Sequence, residues 1–505
     1  MKKSIYIICT TLFTLISCTN FLEEKSTGSL TTDSELSSIE SAKAFANSAY
    51  YDLASLQNTD TGWGSSSYMM LEFLTGKCGS LVSHSRFDDY KNLALDSRAS
   101  MIDVWWKFAY HGIAKCNLAI VKLNEFNSLD PVAISRYRGE VHCMRAFYYF
   151  FLVRLFGDVP LVTEVQSSLN DLKLERTAVK TIYDEVIIPD LLYAENSQLP
   201  NTDISGRVSL GMVKTLLTDV YLTYAGFPLQ GGKEYYSKAA AKAKEIIDGG
   251  YYSLFKSYCD LRIPDNNNRS EFIFQAQMSL DKRHNGNIPI FLPQQLGISV
   301  YSYEFGGIIP TQEYYDSFSD EDLRKAERQF FFSSYPGHPK KHSTGSPNLD
   351  NIDFGFPCIY KFFDETAILE TGKSTLNIPI YRYADLLLMY AEAQVEAEGS
   401  ANQLAKDCLN AIRKRAQLPD ITDNNKDNFL KTVWSERYFE LCFENRLWFD
   451  MLRTQKVRND ITGSFDNFVG HKTVYDKTLS EINLLLPIPQ YEMETNPLLI
   501  QNTGY

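Results

Sequence analysis

No H-E-x-x-H, G-x-S-x-G, P-loop or G-x-G-x-x-G pattern occurs in this chain. Each is the local signature of a chemistry: zinc hydrolysis, serine acyl transfer, nucleotide or dinucleotide binding. Paired cysteines are lacking as well. Cys9 and Cys18 lie near the N-terminus, and the other seven (Cys78, Cys116, Cys143, Cys259, Cys358, Cys408, Cys442) are scattered without C-x-x-C spacing. Neither a zinc site nor a disulfide framework is expected, and several of these thiols fall on apolar helix faces, where they act as small hydrophobes. No cofactor and no metal is expected. Positive charge is in deficit: 50 Lys and Arg against 62 Asp and Glu give a net charge of -12. That balance argues against nucleic acid or an anionic membrane face as partner. Long apolar runs are scarce too, and the one at the N-terminus, about Ile5 to Ile16, is too short to span a bilayer as a mature helix.

What is present is a globular composition, 44% hydrophobic and 22% charged over 505 residues, enough for several ordinary domains. Aromatics are high at 13%, with 31 Tyr and 31 Phe, which suits packed helices and sugar-contacting surfaces alike. Lys2 and Lys3 before the apolar run read as a signal peptide over residues 1–17. Leu15-Ile16-Ser17-Cys18 resembles a bacterial lipobox, so Cys18 is expected to be lipidated and to become the new N-terminus. Several acyl chains together make a lasting anchor. Residues 18–36, rich in Ser, Thr and Gly, read as a flexible tether.

The chain is organised around Tyr137 to Glu164. Val141, Met144, Tyr148, Phe151, Leu152 and Leu155 recur at three- and four-residue steps, and Phe147, Tyr149, Phe150 and Val153 make the second half apolar nearly all round. Such a helix is packed on several sides. Arg145 and Arg154 would then need carboxylate partners, Gly157 stops the helix, and Pro160 forces Val159 extended. Further helices are expected over Ser41–Leu56, Arg98–Phe126, Arg176–Ala194 with a kink at Pro189, Ser209–Ala225, the stretch between Gly232 and Gly249, Tyr383–Glu398 and Asn402–Ala416. The alanine-rich antiparallel pairs resemble tetratricopeptide units. His84 to Tyr90 reads as a loop, with Asp88-Asp89 in a solvated turn. Lys256 to Ile378 is irregular, with strands expected at Glu271–Gln277 and about Arg328–Phe332.

Five segments in order carry a family resemblance. R-A-F-Y-Y-F-x-L-V-R-L-F-G-D-V-P-L-V-T-E, from Arg145, resembles the signature helix and turn of the SusD/RagB family, surface lipoproteins of starch-utilisation-type systems. V-W-W-K-F-A-Y-H-G-I-A-K-C-N-L-A-I precedes it. P-I-Y-R-Y-A-D-L-L-L-M-Y-A-E-A, W-S-E-R-Y-F-E-L-C-F-E-N-R-L-W-F-D-M-L-R and the C-terminal L-L-P-I-P-Q-Y-E-M-E-T-N-P-L-L-I-Q-N-T-G-Y follow. The resemblance implies a mainly α fold in which tetratricopeptide-like helix pairs form a scaffold, with long irregular loops and a few short strands. Residues 37–505 would form one SusD-like domain, with a helical part over about 37–255, an irregular ligand-loop region over about 256–378 and a helical part over about 379–505. It also implies non-catalytic capture of an oligosaccharide at the exterior of an outer membrane, and delivery to a SusC-like TonB-dependent transporter. Peptide cargo, as in a RagB-like role, is the first alternative; a surface glycoside hydrolase is the other.

In the family, ligands meet the N-terminal loop region and the irregular middle, and the residues offer candidates in both. Trp63, between two glycines on a polar loop, is either a stacking platform or a ring tucked against a neighbouring helix. Tyr68 follows it. Asn285, Tyr301 and Tyr303 lie in the middle segment, whose aromatics stand among Gly, Ser, Asn and Gln, outside any apolar helical period. Rings stack on the apolar faces of sugars, and amides hydrogen-bond the hydroxyls. The enzymatic alternative rests on Glu436, Glu440 and Glu444, four apart on an expected helix face, where paired carboxylates would act as acid and base. Arg437, Arg446, Arg382 and Arg413 in the same block point instead to structural ion pairs.

Overall fold

The computed structural model describes residues 38–53, 69–127, 129–168, 173–294, 296–299, 304–337 and 351–505. The leader over residues 1–17, Cys18 and the tether therefore lie outside the described residues, as do Trp63, Tyr68, Tyr301 and Tyr303.

Helices dominate. The longer ones are α1 (Ile39–Ser48), α2 (Ser100–Glu125), α3 (Pro131–Phe156), α4 (Ile188–Glu195), α5 (Leu210–Ala225), α6 (Gly232–Gly249), α7 (Tyr383–Glu398), α8 (Gln403–Arg415), α9 (Lys426–Glu440) and α10 (Leu447–Thr454). From α2 to α7 each packs on the next, and α7 also receives α8 and α9. This is the stacked arrangement of tetratricopeptide-like pairs, a mainly α fold. Every strand pairing among the described residues is a two-stranded antiparallel ribbon.

α3 is the hub. Asp130 caps it, accepting from Val132 N at 3.0 Å, and Pro131 takes the first position, where no N–H is needed. From Gly139 onward nearly every residue except His142 and Arg154 is buried. The crossing with α2 is close: a Cβ on Gly112 would sit 2.5 Å from the Tyr148 ring. Polar groups on this hub find partners. Tyr148 Oη donates to Ala49 O at 2.7 Å. Arg145 makes a two-pronged pair with Asp190 at 2.7 and 2.8 Å, and His142 Nδ1 meets the same carboxylate at 2.6 Å. The helix ends at Gly157, whose φ of 72° suits a residue without Cβ. The carbonyls orphaned there are taken up by the C-terminal strap: Leu486 N donates to Leu155 O at 2.7 Å and Asn502 Nδ2 to Phe156 O at 3.0 Å.

Local expectations needed correction in four places. His84 to Tyr90 is not a loop: Ser85–Lys91 is helical, because Phe87 and Tyr90 are both buried and three residues apart. Arg176-Thr177 does not open a helix but pairs with Val159-Pro160. The segment after it passes through a π-turn over Tyr183–Ile187 just ahead of Pro189, an irregularity at the place where the sequence leads one to expect a kink. Glu444 is off the α9 helix, which ends at Glu440; a turn with positive φ at Phe443 and Asn445 carries it back.

The irregular middle has a small core of its own, built from Leu292, Ile298, Phe332, Tyr335, Phe354, Tyr360 and Phe363 among others. Phe331–Pro336 pairs with Asn351–Ile359 and supplies Phe332, Tyr335 and Phe354 to it, whereas Phe272–Ala276 pairs with Ile378–Arg382 and packs into the main core. The seven described cysteines are all free, six of them buried.

Candidate functional site

Two loops suggested by the sequence, one holding Trp63 and Tyr68 and the other Tyr301 and Tyr303, are described only at their bases. Those bases meet. After the first loop the chain forms the short helix Met70–Leu74 and then the strand Cys78–Gly79, which pairs with Ile309–Pro310 just beyond the second. Leu81 N donates to Gly306 O at 2.9 Å, and Gly306 N to Leu292 O at 2.7 Å. Phe87 stacks on Phe73, with centroids 5.5 Å apart, and receives Phe305 edge-on.

Glu304 shapes the second loop. Its buried carboxylate accepts from Gly297 N at 2.7 Å, from Ser299 N at 2.8 Å and from Ile298 N. Ser299 Oγ continues the tie to Ile368 O at 2.6 Å. These three backbone donors tie Glu304 to the 297–299 segment, on the far side of the undescribed residues 300–303. Glu304 carries no signal in the sequence, because its partners are backbone N–H groups, which no residue type marks.

Asn285 is placed differently from its expected role. It is 7% exposed. Nδ2 donates to Leu376 O at 2.9 Å, Oδ1 accepts from Asn287 N at 2.9 Å, and its own N–H reaches Ser374 O. Both ends of its amide hold backbone, so it fastens the middle segment to the strand leading into α7.

The three C-terminal glutamates converge on arginines. Glu440 is fully buried and contacts Arg415 Nη2 at 2.8 Å, Arg382 Nη1 at 3.2 Å and Arg324 Nη1 at 3.3 Å, with Tyr258 Oη at 3.2 Å. Arg382 also forks onto Glu444 at 2.6 and 2.8 Å and reaches Glu271. Glu436 meets Arg324 at 2.6 Å and Arg413 at 3.1 Å. Burial alone would raise the Glu440 pKa, but Arg415, Arg382, Arg324 and Lys361 outweigh it and hold the group at about 2. A glycosidase acid needs a raised pKa and access to the leaving oxygen; Glu440 has neither. The cluster welds α7, α8 and α9 to the middle segment. Glu72, at the foot of the first loop, is the opposite case. Burial lifts it to about 7, against the Asn445 N–H it accepts at 2.7 Å and the Lys361 charge.

Among the described residues no group of His, Cys, Asp and Glu is arranged to hold a metal ion.

Comparison with known proteins places this architecture. A crystal structure of a SusD superfamily protein from Parabacteroides distasonis is 51% identical, with a TM-score of 0.90 over 92% of this chain and 99% of that one. The chain belongs to the SusD family. The profile described as the SusD family matches residues 338–505, and one described as "Starch-binding associating with outer membrane" matches residues 20–211. SusD-like protein P2 of Formosa agariphila is 26% identical over the full length of both chains. The surface glycan-binding protein A of Bacteroides thetaiotaomicron, solved with laminarihexaose, shares the fold at a TM-score of 0.71 and 21% identity, over 92% of this chain and 99% of that one. With family membership the five sequence segments and the observed helix scaffold agree.

Proposed function

We propose that this protein captures an oligosaccharide at the outer-membrane surface without chemically altering it, and passes it to a SusC-like TonB-dependent transporter. Lipid at Cys18 would hold it there, facing the exterior. The observation that carries the reading is the ribbon of Cys78–Gly79 with Ile309–Pro310, which fastens together the feet of the two aromatic loops. Two platforms rooted side by side suit one sugar chain contacted at several rings. Relatives named for starch or glycan binding support the same ligand class. The buried, depressed Glu440 supports binding rather than hydrolysis, because the one carboxylate cluster that invited catalysis is occupied with arginines.

The test is a glycan panel run twice with purified protein, once by calorimetry and once by product chromatography. Saturable heat on at least one neutral oligosaccharide with no product after prolonged incubation is the expected result. Product that accumulates, or binding confined to peptides, overturns the reading.

A further inference from the structure

A concave site opens where α3 ends. Among the described residues, none from 69–91 or 292–310 lines it. Its volume is about 720 Å³, which falls in the range of small-molecule sites. The wall is mostly apolar, from Val153, Tyr183, Leu229, Phe449, Leu452 and Leu485. At the lip stand Ile482, 43% exposed, and Ile500, 75% exposed, two large hydrophobic side chains left in water.

Arg154 lines this pocket with a side chain only 8% exposed. Its guanidinium is clasped between the Phe150 and Phe449 rings, 3.8 Å from each centroid, and Nε donates to Phe150 O at 3.1 Å. Asp219 stands 3.8 Å from Nη1, beyond hydrogen-bond reach. That carboxylate instead accepts from Tyr381 Oη at 2.7 Å and Arg446 Nη2 at 2.8 Å. The terminal nitrogens of Arg154 make no hydrogen bond to a described residue. Burial lowers the pKa of Arg154, and Asp219 only partly offsets it. The other cations along the wall are occupied: Arg453 with Glu392 and Asp450, Lys180 with Asp184, and Arg176 with the carbonyls of Asp158 and Ile500. One buried arginine on the wall of this apolar cavity thus keeps donor capacity, and the same side chain also lines a smaller cleft beside Glu444 and Arg446.

We infer that this pocket binds an amphipathic monocarboxylate, with its carboxylate on Arg154 and its apolar body along Leu229, Leu452 and Phe449. The guanidinium fork matches a carboxylate, and the flanking rings keep it planar and in place. A dianion fits worse, because Asp219 stands 3.8 Å from the guanidinium and the exposed carboxylates of Asp158 and Glu481 also line the cavity.

The probe is laurate, titrated by calorimetry below its micelle concentration against the mature full-length protein, with 1-dodecanol as the uncharged control. Saturable one-to-one binding of laurate, at least about tenfold tighter than the alcohol, is expected from one charge-assisted contact. Arg154→Gln should erase that preference. Leu229→Glu, on a half-buried wall position, should abolish laurate binding with the circular dichroism unchanged; this variant decides the matter if Arg154→Gln does not fold. No saturable laurate binding, equal affinity for the alcohol, or unchanged laurate binding in Leu229→Glu overturns the assignment.

Discussion

Phe305, two residues past Tyr303, meets Phe87 edge-on with ring centroids 6.2 Å apart. Phe87 stacks in turn on Phe73, in the short helix that leaves the loop of Trp63 and Tyr68. This row of rings, with the ribbon beside it, makes the feet of both loops one unit. Ligand contacts made from loops with a shared foot lose less freedom on binding than contacts made from independent loops.

The first prediction tests the shared foot. Phe305→Ala removes the edge-on contact while leaving the ribbon in place. Glycan affinity should fall several-fold, the equivalent of roughly 0.5–1.5 kcal/mol for an aromatic pair. Calorimetry with the cognate glycan measures it, and a fall accompanied by collapse of the fold on circular dichroism would count against the foot acting on binding alone.

The second concerns Arg382, 1% exposed and bonded to Glu271, Glu440 and Glu444 at once. Arg382→Met leaves three buried carboxylates short of their shared cation. Removing one partner of a buried pair costs about 3–5 kcal/mol, so a large loss of unfolding free energy in urea is expected. A loss below about 1 kcal/mol would place the cluster among exposed pairs of little weight.

Much of this scaffold was legible in the sequence, for physical reasons. Tyr383–Glu398 and Gln403–Arg415 came out to within a residue because full apolar periods are closed by Gly399 at one end and opened by the Asn402 cap at the other. The start of α3 at Pro131 was missed because its first turns, Val132 to Arg138, carry mixed polarity, and only the Asp130 cap and Pro131 announce them. Ser85–Lys91 was misread because two adjacent aspartates suggest a turn, whereas Phe87 and Tyr90 are drawn inward by rings distant in sequence. At the site, Asn285 looked like a ligand amide by composition alone. Its true partners, Leu376 O and Ser374 O, are some ninety residues away and carry no side-chain signal.

The third prediction is a pH dependence centred on Glu72. Burial raises its pKa from 4.5 to about 7 in the folded protein. The native state therefore holds a proton that the unfolded chain releases above about 4.5. The stability this lends is complete below about 4.5 and is lost as pH climbs toward about 7. Glu72→Gln removes the titration, so the variant should gain on the parent by up to about 3 kcal/mol between pH 4.5 and 8. Parallel melts at the two pH values provide the check, and a constant difference refutes it.

Glu440 has the reverse sign. Held at about 2 by its arginines, it contributes stability that is complete above 4.5 and lost as pH falls toward about 2. Glu440→Gln should be less stable than the parent at pH 7, and the two should converge as the pH is lowered. Denaturation curves across that range, with product chromatography at each pH, follow both stability and turnover; hydrolysis that disappears in Glu440→Gln would restore the enzymatic alternative.

The last prediction returns to the platforms themselves. Trp63 stands between Gly62 and Gly64, and Tyr301 among Ser, Val and Tyr, both outside any apolar helical period. Core packing accounts poorly for rings in such settings, and a sugar accounts for them well, since its C–H faces stack on aromatics. Losing one platform should weaken glycan binding several-fold, by roughly 0.5–1.5 kcal/mol beyond the area effect, and losing both should multiply the losses. Additivity is informative here. If the two rings touch separate sugar units, the double variant Trp63→Ala/Tyr301→Ala should show the sum of the single effects to within about 0.5 kcal/mol. A double variant no worse than the weaker single would mean both rings clasp the same unit. Unchanged affinity in both single variants sinks the placement altogether. Thermal melts run alongside separate a lost contact from a lost fold: an unchanged melting temperature keeps the residues on the ligand, and a marked drop returns them to the interior.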